Sequence, residues 1–298
     1  MSMDANKELK FTTTHIDIAR NSTDDFNLFH DKIKWSEIDG NPFNGPIVLG
    51  FQLLGLIAEK FRCYRQENNE QQLIDENSLH YSYYQLKFAG AVKPEHSIDI
   101  SIKKSQFKSN PEISLGNRFT LKADNKLALI GFKKELAEPS ILTEFDISSI
   151  ENIPQLPDRS FIDANAIFVK HKFFNTSNGK NFLVSCLTEQ SLYFDEISNI
   201  VTFPEFFPLA LSSCALLERA QKLNHDFRKN PLVYVSHQHC INKRLVASLK
   251  SNMKLSILVK HEEDTKTGLI TAQCFGIINQ NEILFRSELC LSPLEQSP

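Results

Sequence analysis

The feature that most constrains the fold is a segment, residues 47–64, that is apolar on nearly every side of a helix. Its apolar side chains recur without leaving a polar face: Ile47, Val48, Leu49, Phe51, Leu53, Leu54, Leu56, Ile57 and Phe61. A helix that is hydrophobic all round is buried, so other parts of the chain must wrap it. Residues 206–223 have the same character and predict a second buried helix.

Segments that alternate between apolar and polar residues follow each apolar helix, and this period of two predicts antiparallel strands. Asp124-Asn125 lies between two of these segments and predicts a hairpin turn. The predicted strands of the first half begin at Leu79 and cover residues 79–88, 98–102, 113–123 and 127–135; those of the second half cover 167–174, 233–235, 245–249, 255–259, 270–278 and 283–291.

The order of elements therefore repeats, which indicates a duplicated α+β domain. Elements of the same type lie about 156–164 residues apart. Three prolines among acidic and polar residues mark a linker between the halves. We expect an N-terminal domain over residues 1–136, a linker over 137–160 and a C-terminal domain over 161–298. Each domain is predicted to be a long buried helix wrapped by a curved antiparallel sheet.

Composition excludes several classes of function. The formal net charge is −3, so nothing draws the chain to nucleic acid or anionic lipid. The apolar runs of about twelve residues are too short to span a bilayer. The six cysteines lie far apart without a C-x-x-C pair, which predicts buried free thiols. The N-terminus lacks the apolar core of a signal peptide. We expect a soluble, cytoplasmic protein.

A cluster of polar side chains lies directly ahead of the first apolar helix. Asp25, Asn27 and His30 fall within six residues, and Gly50 follows within the apolar run. A carboxylate and an imidazole are common partners in general acid–base catalysis. The same Asp and Asn would also serve as helix-capping or turn residues, with His30 as a surface histidine.

Two motifs and a strand of this chain resemble the MaoC-like, R-specific enoyl-thioester hydratases. Residues 24–30, Asp-Asp-Phe-Asn-Leu-Phe-His, resemble the family signature G-D-x-N-P-L-H. Residues 45–51, Gly-Pro-Ile-Val-Leu-Gly-Phe, are similar to its second motif, R-P-I-V/A-H-G-M. Residues 84–95 have the rhythm of its strand, K-F-x-x-P-V-x-x-G-D. The resemblance covers about residues 10–136, whereas the second half matches only in the order of its elements.

The resemblance implies a double hot-dog fold and a hydro-lyase of fatty acid metabolism. Such an enzyme adds water to a trans-2-enoyl thioester or dehydrates a 3-hydroxyacyl thioester. By this resemblance Asp25 and His30 are the acid/base pair, Asn27 is the supporting amide, and the Gly50 N–H binds the thioester carbonyl. The thioester is that of coenzyme A, or of an acyl carrier protein. Coenzyme A enters only as part of the substrate, and no metal or other cofactor is implied. A homodimer is a candidate assembly.

The motifs also depart from the family pattern. Leu28 and Phe29 stand where the family has Pro and Leu, Leu49 stands where it has His, and Asp24 stands where it has Gly. None of these changes removes a catalytic group. Phe29 and Leu49 are assigned to the substrate-binding wall, where they would narrow the pocket.

Helix geometry sets two conditions on this site. Asp25 and His30 are five residues apart, about 140° around a continuous helix, so the helix ahead of them must end between them. The Gly50 N–H is free for a ligand only if the apolar helix begins near Val48 or later. A structure tests both conditions.

The second half lacks a histidine at the motif spacing near Glu189, and Ser212 lies near the place of Gly50. We therefore expect this half to have lost catalysis and to form the other wall of the pocket. His237 and His239 share one face of a strand, but zinc needs three or four ligands, so a structural role is favoured.

Two other functions stay open. A hot-dog thioesterase would direct water at the thioester carbonyl. A non-catalytic acyl-thioester binding protein would hold the ligand without turnover.

Overall fold

The computed structural model of the 298-residue chain describes residues 8–142, 147–162, 166–264 and 266–294. The elements of the first half are β1 (Leu9–Lys10), α1 (Thr13–Thr23), α2 (Gly50–Glu67), α3 (Gln71–Glu76), β2 (Tyr81–Phe88), β3 (Ser97–Ile102), β4 (Gln106–Lys108), β5 (Ser114–Ala123) and β6 (Lys126–Leu136). Those of the second half are β7 (Ser160–Ile162), β8 (Ile167–Phe173), α4 (Thr176–Ser185), β9 (Phe194–Asp195), β10 (Ile200–Val201), α5 (Phe207–Ala210), α6 (Ser212–Lys222), β11 (Leu232–Asn242), α7 (Lys243–Ala247), β12 (Lys254–Glu263), β13 (Ile270–Ile278) and β14 (Glu282–Pro293).

One antiparallel sheet runs through both halves in the order β1-β3-β5-β6-β2-β11-β14-β13-β12-β8-β7, with β4 paired to β5 beside this path. The halves meet where β2 pairs with β11, and Tyr84 lies opposite His239 there. Outward from this joint, the first five strands of the two halves correspond one to one. The order β2, β6, β5, β3, β1 in the first half matches β11, β14, β13, β12, β8 in the second. The chain therefore has the duplicated α+β fold that the repeated pattern predicts, in the double hot-dog form that the family resemblance implies.

The two apolar helical segments share one core. On α2, the side chains of Leu54, Ile57 and Phe61 are fully buried, and they belong to the same cluster as Phe206 and Phe207. Burying a side chain of this size stabilises the fold by about 1.5–3 kcal/mol. An all-apolar helix is stable here because the sheet and the helices of the other half enclose it.

Several local predictions are confirmed. Asp124 and Asn125 both have positive φ, 46° and 62°, as a two-residue hairpin loop between β5 and β6 requires. All six cysteines are free. In the part of the chain that the structure describes, no helix combines the length and the apolar character needed to cross a membrane.

Two predictions about the second half are wrong. Residues 245–249 are not a strand, because the Asn242 side chain accepts a hydrogen bond from the Leu245 N–H and starts α7 instead. The second apolar helix is not continuous but divides at Leu211 into α5 and α6. The segment predicted as a linker also contributes to packing, since Ile147 and Ile153 are buried in a small cluster against β8.

Two buried histidines sit at the joint between the halves. His237 and His239 on β11 are fully buried, and their rings lie 3.3 Å apart at Nδ1 and Nε2. Burial lowers the pKa of His239 to about 3 and the pKa of His237 well below its ordinary value, and His239 lowers the latter further. Both imidazoles are therefore neutral near pH 7.

We expect these histidines to make the protein acid-sensitive. Below about pH 6.5 the unfolded chain protonates them and the folded chain does not, so acid favours unfolding. The free energy of unfolding should fall by up to about 1.4 kcal/mol per pH unit for each histidine. Urea unfolding at pH 7, 6 and 5 measures this slope. His239→Gln should reduce the slope, whereas the control His96→Gln, at a partly exposed histidine, should not. Equal slopes in wild type and His239→Gln would contradict the account.

Candidate active site

The candidate site begins where α1 ends. Thr12 caps this helix through a reciprocal pair of hydrogen bonds with His15. The helix ends at Thr23, Asp24 takes the left-handed conformation with φ 55°, and the Asp25 N–H bonds to the Arg20 carbonyl at 3.0 Å. The helix therefore ends ahead of the acid–base pair and not between its members. The condition on the helix is still met, because the helix does not continue through Asp25 and His30 and so does not place their side chains on different faces.

Asp25 is a buried carboxylate with both oxygens hydrogen-bonded. Only 5% of the residue is exposed. Oδ1 accepts from the Asn27 N–H at 2.8 Å, and Oδ2 accepts from the Ser213 hydroxyl at 2.5 Å. Ser213 lies on α6, so the second half of the chain fixes the orientation of this carboxylate. Hydrogen bonds to an ionised group are among the stronger ones in proteins.

His30 ends a short 3₁₀ turn, Leu28–His30, and is 6% exposed. Asn27 starts this turn, because its Oδ1 accepts from the Phe29 N–H at 3.1 Å. The His30 Nδ1 lies 2.8 Å from the Ile47 carbonyl. A carbonyl only accepts, so Nδ1 carries the proton and Nε2 carries the lone pair.

The charge state of His30 follows from its surroundings. Burial lowers its pKa below the ordinary value, while the Asp25 carboxylate and the bond to Ile47 oppose this and Arg20 adds to it. The balance keeps the imidazole neutral near pH 7. A neutral imidazole with a free Nε2 can accept a proton from water.

Gly50 is the first residue of α2, after Leu49 in an extended conformation. The second condition is therefore met, because the first N–H groups of a helix have no partner within it. Among the described residues, none accepts a hydrogen bond from the Gly50 N–H. A Cβ at this position would lie 3.1 Å from the Phe88 ring and 3.6 Å from the Tyr234 ring, so a larger residue would require the Phe88 ring to shift slightly.

Tyr234 connects Gly50 with the carboxylate. Its ring lies 3.6 Å from the place that a Cβ on Gly50 would occupy, and its hydroxyl lies near enough to Asp25 and Ser213 for both to act on its pKa. Burial and the Asp25 carboxylate raise the pKa of Tyr234, and the nearby Ser213 hydroxyl opposes them. Sequence reasoning missed both Tyr234 and Ser213. No local pattern marks them, since their position beside Asp25 arises only from the pairing of the two halves.

The remaining predicted site residues are built into the surrounding structure. Phe29 and Leu49 are each 3% exposed. Phe29 packs its ring edge-on against Phe43 at 5.6 Å between centroids, and its carbonyl accepts from the Ile47 N–H at 2.9 Å. Leu49 belongs to the main core cluster. Their contact with substrate stays a prediction. The observed role of Asn27 is to form the turn that carries His30.

The second half repeats the local backbone without the acid–base pair. α4 is followed by Leu187 with φ 57° and by a 3₁₀ turn, Gln190–Leu192, which Glu189 caps. Thr188 therefore takes the place of Asp25, and Leu192 that of His30. α5 begins at Phe207, whose N–H bonds to Pro204, and Pro208 has no N–H. Ser212, expected near the place of Gly50, begins α6 instead.

The histidine pair on β11 is part of a buried hydrogen-bond chain. His239 Nδ1 lies 2.7 Å from the Ser287 hydroxyl, and its Nε2 faces His237.

In residues 8–142, 147–162, 166–264 and 266–294, no group of three or more His, Cys, Asp or Glu side chains is arranged to hold a metal ion.

Comparisons with known proteins support the fold. The chain matches no protein-family model, and it matches no curated protein sequence. It is similar to the structure of a MaoC-like dehydratase, with 8% identity and a TM-score of 0.55 over 98% of this chain and 97% of that one. It is also similar to that of a MaoC domain protein dehydratase from Chloroflexus aurantiacus J-10-fl, with 7% identity and a TM-score of 0.56 over 97% and 93%. Similarity at this identity shows a shared fold over nearly the whole chain.

The contact between Ser213 and Asp25 predicts a measurable loss of stability. Ser213→Ala leaves one carboxylate oxygen buried without a donor, which should cost about 1–3 kcal/mol in the free energy of unfolding. Ser212→Ala is a matched control, because the Ser212 hydroxyl is buried and has no hydrogen-bond partner among the described residues. The control should stay within about 0.5 kcal/mol of wild type. Urea unfolding measures both, and equal costs would contradict the assigned contact.

Proposed function

We propose that this protein adds water to a trans-2-enoyl thioester, or removes it from a 3-hydroxyacyl thioester. The observation that supports the proposal is that the Asp25 carboxylate lies near enough to His30 to act on its pKa, so that three groups are available for the chemistry. These are the hydrogen-bonded carboxylate of Asp25, the neutral imidazole of His30 and the free N–H of Gly50. The overall fold, shared with MaoC-like dehydratases, is consistent with this chemistry.

In the proposed reaction, Asp25 and His30 hold one water molecule. As the water oxygen bonds to the β carbon, one of the two side chains takes the proton that it loses. This proton is then delivered to the α carbon, directly or through the other side chain, so both side chains return to their starting state and the net change is the addition of one water across the double bond. Each positioned acid or base contributes about 10²–10⁴-fold to the rate.

Negative charge builds on the thioester oxygen during this addition. The Gly50 N–H at the start of α2 is the group proposed to receive it, aided by the partial positive charge of a helix N-terminus. Removing one such donor costs about 2.7–4 kcal/mol of transition-state stabilisation in other enzymes. The proposed thioester is that of coenzyme A or of an acyl carrier protein. The free cysteines fit a reducing, cytoplasmic setting.

The depressed pKa of His30 predicts a characteristic pH profile. The imidazole must be unprotonated to act as a base, and burial keeps its pKa below 6.5. The kcat/KM for hydration should therefore stay level as the pH falls to about 6.5 and decrease only at lower pH. Initial rates with an enoyl-CoA between pH 5 and 8 measure the profile. An acidic limb with its midpoint above 6.5 would contradict a buried, neutral His30.

Substitution of Asp25 or of His30 should lower the rate of turnover. Asp25→Asn and His30→Ala should each lower the hydration rate about a hundredfold or more, because each removes one proton-transfer group. Loss of the enoyl absorbance of crotonyl-CoA and of a longer trans-2-enoyl-CoA measures the rate. Ser212→Ala is the control and should retain activity. Full activity in either dyad variant would remove the central proposal.

One contact favours a second candidate function. The Ser213 hydroxyl lies 2.5 Å from Asp25, and a hydroxyl beside a carboxylate is an arrangement that can direct water or itself at a carbonyl. A thioesterase would release free coenzyme A thiol from a saturated acyl-CoA, whereas a hydratase would not. Tight binding of acyl-CoA with neither product would favour a non-catalytic binding protein.

A further inference from the structure

A cavity of about 700 Å³ lies between the later turns of α2 and the segment that joins α4 to α5, away from Asp25 and His30. Its walls include Thr188 and Phe206, which stand ahead of α5 as Asp25 and Leu49 stand ahead of α2. The later turns of α2 and the short helix α7 complete the walls. The volume is within the range of about 300–1,000 Å³ that is typical of small-molecule sites. The duplication has therefore left a ligand-sized space where a second active site would lie.

The inner part of this cavity is apolar. Phe182, Leu183, Phe203 and Phe206 line it, and all four are buried in the core. Ala58 on α2 faces the same space. An apolar chain of a ligand would replace water along these walls, which is favourable in proportion to the area covered.

The charged groups of the lining are already paired. Arg62 holds Glu59 through two hydrogen bonds, at 2.9 and 2.7 Å. Glu135 is 1% exposed and lies 2.9 Å from Lys133 and 2.8 Å from Lys243. These cations hold the pKa of Glu135 well below its ordinary range. Because each charged side chain of the lining already has an ion-pair partner, the cavity is suited to an uncharged polar group inside rather than to a further free anion.

Even so, the cavity lining contains a buried hydrogen-bond donor and a buried acceptor that have no partner among the described residues. Arg65 is 5% exposed, and its Nη2 has no hydrogen-bond partner in the described part of the chain, while its Nε lies 3.6 Å from Glu135 Oε1 in an ion pair. On the acceptor side, the Oε1 atom of the partly exposed Glu205 side chain is buried and has no donor among the same residues. Buried polar groups are normally satisfied, so an unmatched donor and an unmatched acceptor in one cavity indicate a missing partner that offers both. An amide group offers both.

The mouth of the cavity also carries uncharged groups that can both donate and accept hydrogen bonds. Four exposed residues with amide side chains stand at it, on α2, on α3 and between these helices: Gln66, Asn69, Gln71 and Gln72. Uncharged donors and acceptors thus continue outward from an apolar interior. A matching ligand has an apolar chain at one end and an arm containing amides at the other.

We infer that this cavity binds an acyl-pantetheine group, the acyl-bearing end shared by acyl-CoA and acylated carrier proteins, and holds it without turnover. Only the chemical class of the ligand rests on the proposed function. The acyl chain lies among the phenylalanines, and the two amides of the pantetheine arm lie toward the mouth. Turnover is absent there because Thr188 and Leu192 stand where the acid and base would be, and Pro208 lacks an N–H.

The test is the binding stoichiometry of S-hexyl-coenzyme A, an unreactive thioether, measured by calorimetry on the full chain. Two molecules should bind to each chain of wild type. Ala58→Phe fills the cavity from α2, and Ala247→Trp blocks it from α7; each should reduce the stoichiometry to one and leave enoyl-CoA turnover at Asp25 and His30 unchanged. S-hexyl-pantetheine should also bind at the second site, whereas hexanoate should not.

The outcomes separate this inference from the proposed function. One molecule bound to wild type and none to a folded Ala58→Phe variant supports the second site, even if no hydration is found. Stoichiometry that is the same in wild type, Ala58→Phe and Ala247→Trp, with all three folded by circular dichroism, overturns it. Displacement by hexanoate but not by S-hexyl-pantetheine would overturn the assignment of the ligand.

Discussion

The pairing of β2 with β11 is the interaction on which the rest of the structure depends. Residues Tyr81–Lys87 lie opposite Ser236–Asn242 and join two half-sheets into one. This joint, together with the packing of α1 and α2 against α4 and α5, brings α6 close to the loop after α1, so that Ser213 reaches Asp25. It also encloses α2, whose apolar surface would otherwise face water. The candidate site is thus a product of the duplication and not of one half alone.

Burial determines the chemistry that the site can perform. Two donors satisfy the oxygens of the buried Asp25 side chain, and His30 stays neutral because burial outweighs the nearby carboxylate. The pair therefore combines a hydrogen-bonded carboxyl group with a neutral base. In the second half, Thr188 and Leu192 take these places, and buried ion pairs such as Lys133–Glu135 surround a cavity instead. Two copies of one fold have in this way acquired different interiors.

Much of the fold follows from local sequence patterns, since the period of apolar residues distinguishes helices from strands. Asp25, His30 and Gly50 could be named because motif residues lie close together in the chain. Ser213 and Tyr234 could not, because their place depends on long-range strand pairing. Residues 245–249 have a strand-like composition, yet Asn242 caps a helix there. The break at Leu211 was likewise hidden within a uniformly apolar run.

The most direct test of the central claim follows the oxygen of water. The protein is incubated with crotonyl-CoA in H₂¹⁸O, and the products are analysed by mass spectrometry. The account predicts one ¹⁸O atom at the β carbon of an intact 3-hydroxybutyryl-CoA, with little product from His30→Ala. Incorporation of ¹⁸O into a free carboxylate together with release of coenzyme A would contradict it, because water would then have attacked the carbonyl.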